Sequence, residues 1–585
     1  MATTTNDTSD GLEECDVLVV GSGAGGLAAA LTASVLGLDV VICEQDRVLG
    51  GASAISGGEL WIPMSHQAGN ETGDSDANAL AYLEHVIGPR IDRKRAEAYV
   101  RNASPALAFI EDHSPVQYEL LSHVVDYFSD LPGATVGQRT LGAIPFDGRR
   151  LGRWFPNIRS PLAIGTIFGG MSIGREDLPH LMNCTRSVAS ALHVFRMLLH
   201  HASDRLRGYS RGTRMVMGNA LVGGLVHALR EREVPLWLNS SVKELTVTHG
   251  RVTGAVVRRE GRSVEIRCRR AIILATGSFS GSAAKRTEYF PHVQAGKPHY
   301  SHVPSSSDGS GLAIATACGA VIEESNGEPG AWTPVSLLKD RTGATTAFPH
   351  FGDRARPGVI VVNAAGGRFV NEAINYHDFV QALIAHTSEH PRAECFIVTS
   401  HAHLRRYGLG RVPAFPGRIH RFIRNGYLRR GRDLASLAQQ IGIEPTALER
   451  TVAEFDHHAR QGDDPVFHKG ETEFERAAGD ATQRPNPCVA PLGPGPYYAI
   501  RMIPGDIGSM RGLRVDGDAR VMNASGAPIQ GLYAVGTVAT SVTAGTYPGA
   551  GTMLGPSITF GFLAARHIAG VLAPESVATG SAQSA

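Results

Sequence analysis

From Asp16 to Val20 the chain turns apolar after one polar residue, the pattern of a buried strand. Six residues, Gly21-Ser-Gly-Ala-Gly-Gly26, then read as a turn, and Leu27 to Leu36, rich in Ala and Leu, predicts a helix. Asp39 to Cys43 predicts a second strand ending at Glu44. Residues 15–44 therefore read as a βαβ unit. Its glycines and Asp39 interrupt the apolar run too often for a membrane span. Residues 236–257 hold two alternating runs, and Arg270 to Leu274 is a third strand that ends in Ala275-Thr-Gly277. Helices are predicted near 433–441 and 446–461, and a last strand, loop and helix over 531–571. No repeat of fixed period is visible.

This order predicts an α/β fold in which the two ends of the chain build one nucleotide-binding domain around an insertion. The expected boundaries are a disordered tail at 1–12, a first part at 13–284, an inserted α+β substrate domain at 285–485, a second part at 486–572 and a disordered tail at 573–585.

Composition narrows the function. Of 585 residues 68 are Gly, above the usual roughly 7%, which suits a backbone that approaches a cofactor at many points. The net charge of +1 gives no electrostatic case for nucleic acid. Seven cysteines occur singly, with no Cys-x-x-Cys or Cys/His cluster, so neither a metal nor a disulfide framework is expected. Free thiols and the lack of a charged-then-apolar leader point to a cytoplasmic location, with peripheral membrane contact as the alternative.

Gly21, Gly23 and Gly26, with Ala24 and Gly25 between, follow a strand and open a helix, and Glu44 lies 18 residues past Gly26. Glycines there let the backbone reach a pyrophosphate, the helix N-terminus stabilises its charge, and the acid accepts ribose hydroxyls. A flavin dinucleotide is favoured over NAD by the small residues after the second strand: Gly51, Ala52, Ser53, Ser56, Gly57 and Gly58. Ala275, Thr276 and Gly277 look like the second contact of two-dinucleotide-binding flavoproteins, and Asp308-Gly-Ser-Gly311 like a further one. The expectation is a Rossmann-like FAD-binding domain of the two-dinucleotide-binding type.

Near the C-terminus, Pro504-Gly-Asp-Ile-Gly508, Gly531-Leu-Tyr-Ala-Val-Gly536, Thr546-Tyr-Pro-Gly-Ala-Gly551 and Gly555-Pro-Ser-Ile-Thr-Phe560 follow in order. With Ser56-Gly-Gly, Trp61, Asp126-Tyr127 and Arg368-Phe-Val-Asn-Glu372 before Tyr376, they resemble the FAD-dependent 3-ketosteroid Δ1-dehydrogenases, relatives of the fumarate reductases, over about residues 14–572. Two departures stand out: Gly57-Gly58-Glu59-Leu60 where the family more often has three glycines, and Tyr127-Phe128 where a second tyrosine is common. The first is expected to alter the cofactor or substrate pocket.

The resemblance implies FAD held without a covalent bond, with Val242, Gly536, Pro556, Ser557 and Ile558 added to its binding set. It implies that Tyr547 and the Gly551 N–H hold the substrate carbonyl, that Tyr376 removes the α proton assisted by Tyr127, and that the β hydride passes to flavin N5. In fumarate reductases the positions matching Tyr376 and Tyr547 are arginines, so a neutral substrate is implied. The expected partners are a 3-ketosteroid or other hydrophobic cyclic ketone and an external electron acceptor such as a quinone, with no nucleic acid and no metal. The alternatives are a desaturase of another cyclic ketone, a Δ4-(5α)-3-ketosteroid dehydrogenase, a fumarate-reductase-like ene-reductase and a non-enzymatic flavin carrier.

Overall fold

The structure, a computed structural model, describes residues 13–68, 73–185, 187–325, 327–339, 343, 345–388, 393–414 and 419–571. The tails expected to be disordered, 1–12 and 573–585, lie outside the described residues. Eight elements frame the site. They are strands β1 (Glu13–Val20), β2 (Val40–Cys43), β3 (Arg262–Leu274), β4 (Tyr497–Ser509) and β5 (Pro528–Ala534), and helices α1 (Ala24–Val35), α2 (Tyr376–Ser388) and α3 (Leu554–Ala569).

A sheet with a parallel core carries the order Leu236–Trp237, β2, β1, β3, β5. Val17 to Val20 and Ile272 to Leu274 are buried on both faces, as the central strands of a covered parallel sheet require. The antiparallel strands Ser240–Thr248 and Arg251–Arg259 extend it from β3. Helix α1 is Ala- and Gly-rich because it is enclosed. A Cβ on Gly561 of α3 would lie 2.5 Å from the Gly25 oxygen, so the two helices touch backbone to backbone.

The second sheet runs Thr345–Pro349, Gly330–Lys339, β4, Cys395–Ser400, Val359–Asn363, with each of these pairs antiparallel. Strand β4, which follows the expected boundary at 485/486, is the centre of this second sheet. At its Gly505 a third strand crosses, and a Cβ there would meet the Tyr300 oxygen at 2.6 Å.

A buried charge cluster supports the stretch that enters α2. Arg368 bridges Glu372 at 2.7 Å and Asp464 at 2.6 Å, and Lys469 Nζ lies 3.5 Å from Glu372. Arg354 donates to the carbonyls of Glu372 and Ile374, just before Tyr376. Burial opposes the Glu372 charge, but Arg368 and Lys469 outweigh it and draw its carboxyl down to about 2. Glu372 therefore stabilises the fold above its unfolded value near roughly 4.3, and this contribution is lost as the pH falls towards about 2. Glu372→Gln is expected to lower stability by about 3 kcal/mol at pH 7, read by urea unfolding, with a gap that narrows below pH ~4. A variant as stable as the parent at pH 7 would contradict this role for the cluster.

Candidate active site

The turn after β1 makes the first wall. Gly21 has φ +109°, and a Cβ there would lie 2.3 Å from the Ala275 oxygen at the end of β3. A Cβ on Gly26 would lie 2.3 Å from the Gly21 oxygen, so this turn closes only with glycine at both positions. Ser53 Oγ accepts the Ala24 N–H at 3.0 Å, which fixes the next loop on the start of α1. At the end of β2, Glu44 accepts the N–H and hydroxyl of Ser22 at 3.1 and 2.6 Å and the Asp46 N–H at 2.9 Å. Burial pushes its carboxyl up, and these donors offset only part of that push.

One cavity of about 630 Å³ runs from this turn to a cluster of tyrosines. Its lining includes Gly21, Gly23, Ala24, Gly25, Gly26, Glu44, Gly51, Ala52, Ser53, Ser56, Gly57, Gly58, Val242, Ala275, Thr276, Gly277, Gly536 and Ser557, and at the far end Tyr127, Tyr376, Tyr547 and Gly551. Three expected residues lie elsewhere. Asp308 is exposed and caps the Ser310 N–H at 2.9 Å. Pro556 lines a separate small cleft, and Ile558 is buried in the main core.

Tyr127, Tyr376 and Tyr547 come from three distant segments and pack as a triangle. Ring centroids are 5.7 Å apart for Tyr127 and Tyr376, 5.8 Å for Tyr127 and Tyr547, and 5.3 Å for Tyr376 and Tyr547. The Tyr127 hydroxyl donates to that of Tyr376 at 3.4 Å. The Pro548 carbonyl accepts the Tyr127 N–H at 2.9 Å and the Tyr82 hydroxyl at 2.7 Å. Next to Tyr376, buried His377 accepts the Trp332 N–H and donates to the Gly545 carbonyl, both at 3.1 Å. Burial lowers its pKa to about 4, so the neutral ring makes both bonds at pH 7. Asp126 anchors the Tyr127 segment by accepting from Trp61 at 2.7 Å and Arg139 at 2.9 Å. Gly551 has φ +96°, and a Cβ would meet Trp61 N and Leu60 C at 2.4 Å.

The three phenols are harder to ionise than an ordinary tyrosine. Burial raises Tyr376 well above the usual value, with further contributions from Tyr127 and Tyr547. Burial likewise raises Tyr127 and pushes Tyr547 up to about 12.

The pattern of the chain did not point to Arg175, Phe351, Ile507 and Met553 as lining residues. Phe351 packs on Tyr376 with centroids 4.8 Å apart. Glu59, present in the sequence only as a departure from glycine, also lines the cavity and pairs with Arg175. Among the described residues no group of three His, Cys, Asp or Glu forms a metal site, and no helix is long and apolar enough to cross a membrane.

A family model described as an FAD binding domain matches residues 16–554. The chain is 37% identical over 557 residues to a 4-oxocyclohex-2-ene-1-carboxylate 5-dehydrogenase of Sinomonas cyclohexanicum, covering 95% of this chain and 94% of the relative. It is 32% identical over 577 residues to a 3-oxosteroid 1-dehydrogenase of Mycobacterium tuberculosis, covering 95% and 99%. A crystal structure of the 3-ketosteroid delta1-dehydrogenase from Sterolibacterium denitrificans in complex with 1,4-androstadiene-3,17-dione superposes with TM-score 0.87 at 36% identity, over 95% of this chain and 100% of that one.

The residues present fit FAD. Gly21 and Gly26 leave no room for a Cβ, which holds the turn tight against the start of α1, and the buried Thr276 Oγ1 has no hydrogen-bond partner within the protein. Gly26→Ala is expected to yield folded protein without flavin, read as flavin absorbance per mole of protein beside its circular dichroism. Full flavin content in this variant would contradict the assignment of the turn.

Proposed function

The chain belongs to the FAD binding domain family and is an FAD-dependent dehydrogenase of a cyclic ketone; we propose that Tyr376, Tyr127, Tyr547 and Gly551 carry out the carbon–hydrogen chemistry. The observation that supports this reading is the triangle of tyrosines closing the end of the cofactor cavity. In it, the Tyr547 hydroxyl and the Gly551 N–H donate to the ketone oxygen and stabilise the enolate-like charge that develops there. Tyr376, as phenolate, takes the α proton, and the electron pair of that C–H bond becomes the new C=C. Tyr127 donates a hydrogen bond to the Tyr376 oxygen and so orients it for the proton transfer. FAD, when bound, supplies the acceptor for the hydride that leaves the β carbon. The product is the conjugated enone, two hydrogens poorer than the substrate.

The residues proposed to hold FAD are Gly21 to Gly26, Glu44, the 51–58 loop, Val242, Ala275 to Gly277, Gly536 and Ser557, all in the cavity wall. The ring to be oxidised is six-membered. The 3-ketosteroid A ring expected from the sequence meets this requirement, and so does a monocyclic oxo acid. Leu162, Ile164, Ile173 and Phe348 make an apolar wall for either ring.

Anaerobic mixing of the holoenzyme with androst-4-ene-3,17-dione and with 4-oxocyclohexanecarboxylic acid tests the reaction class. Bleaching of the flavin band by at least one, with the matching enone as product, is the expected result; bleaching by neither would reject it. Tyr376→Phe should lower kcat by about 10³-fold and Tyr547→Phe by about 10²-fold. Because burial raises Tyr376, kcat/KM should climb with pH from 7 to 9 in the parent protein. A flat profile would argue against a phenolate base.

A further inference from the structure

The tyrosine end of the cavity carries a charge that proton removal does not use. Arg175 Nη2 pairs with Glu59 Oε1, and both residues line the cavity. Glu59 precedes Leu60 and Trp61, whose backbone lies against Gly551. Glu59 thus stands one residue from the Leu60 backbone that packs on Gly551, and the pair shares the cavity with the three tyrosines.

Arg175 is held in this position. Asp177 accepts the Gly174 N–H at 2.7 Å and binds Arg214 and His193 at 2.8 Å each, while Glu176 pairs with Arg214. The acids next in the chain are thus engaged elsewhere. Among the described residues lining the cavity, Arg175 is the only arginine or lysine. Its side chain is 42% exposed, against 14% for Glu59.

A neutral ring would cover that exposed surface and return no acceptor for the desolvated guanidinium. A carboxylate on the ring would return one. The guanidinium has five donors in a planar fork, so one edge serves Glu59 while another binds a second carboxylate. A chain with tyrosines at 376 and 547 thus regains a cation in the site from a different segment.

We propose that Arg175, oriented by Glu59, is the specificity-determining residue of the site, and that the substrate is a cyclic ketone bearing a carboxylate. This rests on the reading that Tyr547 and Gly551 hold the ketone oxygen. The substrate is gripped at two ends, its carbonyl by the tyrosine end and its carboxylate by Arg175.

The test uses flavin-loaded parent protein and Arg175→Met, Arg175→Lys and Glu59→Gln. Steady-state turnover is measured with 4-oxocyclohexanecarboxylic acid, its methyl ester and androst-4-ene-3,17-dione, and binding of the acid by calorimetry. The parent should prefer the acid to the ester by about 30-fold in kcat/KM, the scale of one charged hydrogen-bonded contact. Arg175→Met should remove most of that preference, mainly through KM, and weaken acid binding about as much. Arg175→Lys should keep part of it, and so should Glu59→Gln, which keeps the guanidinium but loosens its orientation. Equal turnover of acid and ester by the parent, or an undiminished preference in Arg175→Met, would overturn the proposal. In that event, bleaching by the ester or the steroid would leave the tyrosine reading standing. Bleaching by none of the three ketones would overturn the tyrosine reading, and this proposal with it.

Discussion

The Pro548 carbonyl ties the site together. It accepts the Tyr127 N–H and the Tyr82 hydroxyl, and so fixes the 127 segment on the loop that carries Tyr547. His377 fastens the start of α2 to the same loop through the Gly545 carbonyl. These bonds join the backbones of three tyrosines that lie far apart in the chain. The loop follows β5 of the cofactor sheet, whereas α2 packs on Gly330–Lys339 of the second sheet. The site is therefore a junction, and its geometry depends on both sheets being in place.

The βαβ unit was legible in the sequence because glycine spacing, an apolar strand and an acid at the next strand end are all local signals. The structure shows why those glycines are needed: Gly21 and Gly26 leave no room for a Cβ. The tyrosines were found differently, through resemblance to a known family, because no periodicity separates Tyr376 from an ordinary packing tyrosine. Arg175 and Phe351 were beyond reach, as their approach to the cavity depends on how the 158–215 and 345–355 segments cross it. The pairing of strand β4 was not legible in the sequence for a related reason. Its proline and glycine look like a breaker locally, and only the neighbouring strands explain them.

Charge in the cavity is sparse and placed at its two ends. Glu44 is engaged by Ser22 and Asp46 at the turn, and Glu59 pairs with Arg175 beside the tyrosines. The walls between are made largely of glycine, small hydroxyl residues and apolar side chains. The raised phenols follow from their own burial. Burial makes Tyr376 a reluctant acid, and once ionised a strong base.

The central claim is that the ketone oxygen lies between Tyr547 and Gly551. A crystal structure of the holoenzyme with a bound cyclohexenone product tests it directly. The account predicts the carbonyl oxygen within about 3 Å of both Tyr547 Oη and the Gly551 nitrogen, with Tyr376 Oη over the α carbon. A carbonyl bound to other donors, with Tyr376 remote from the α carbon, would contradict it.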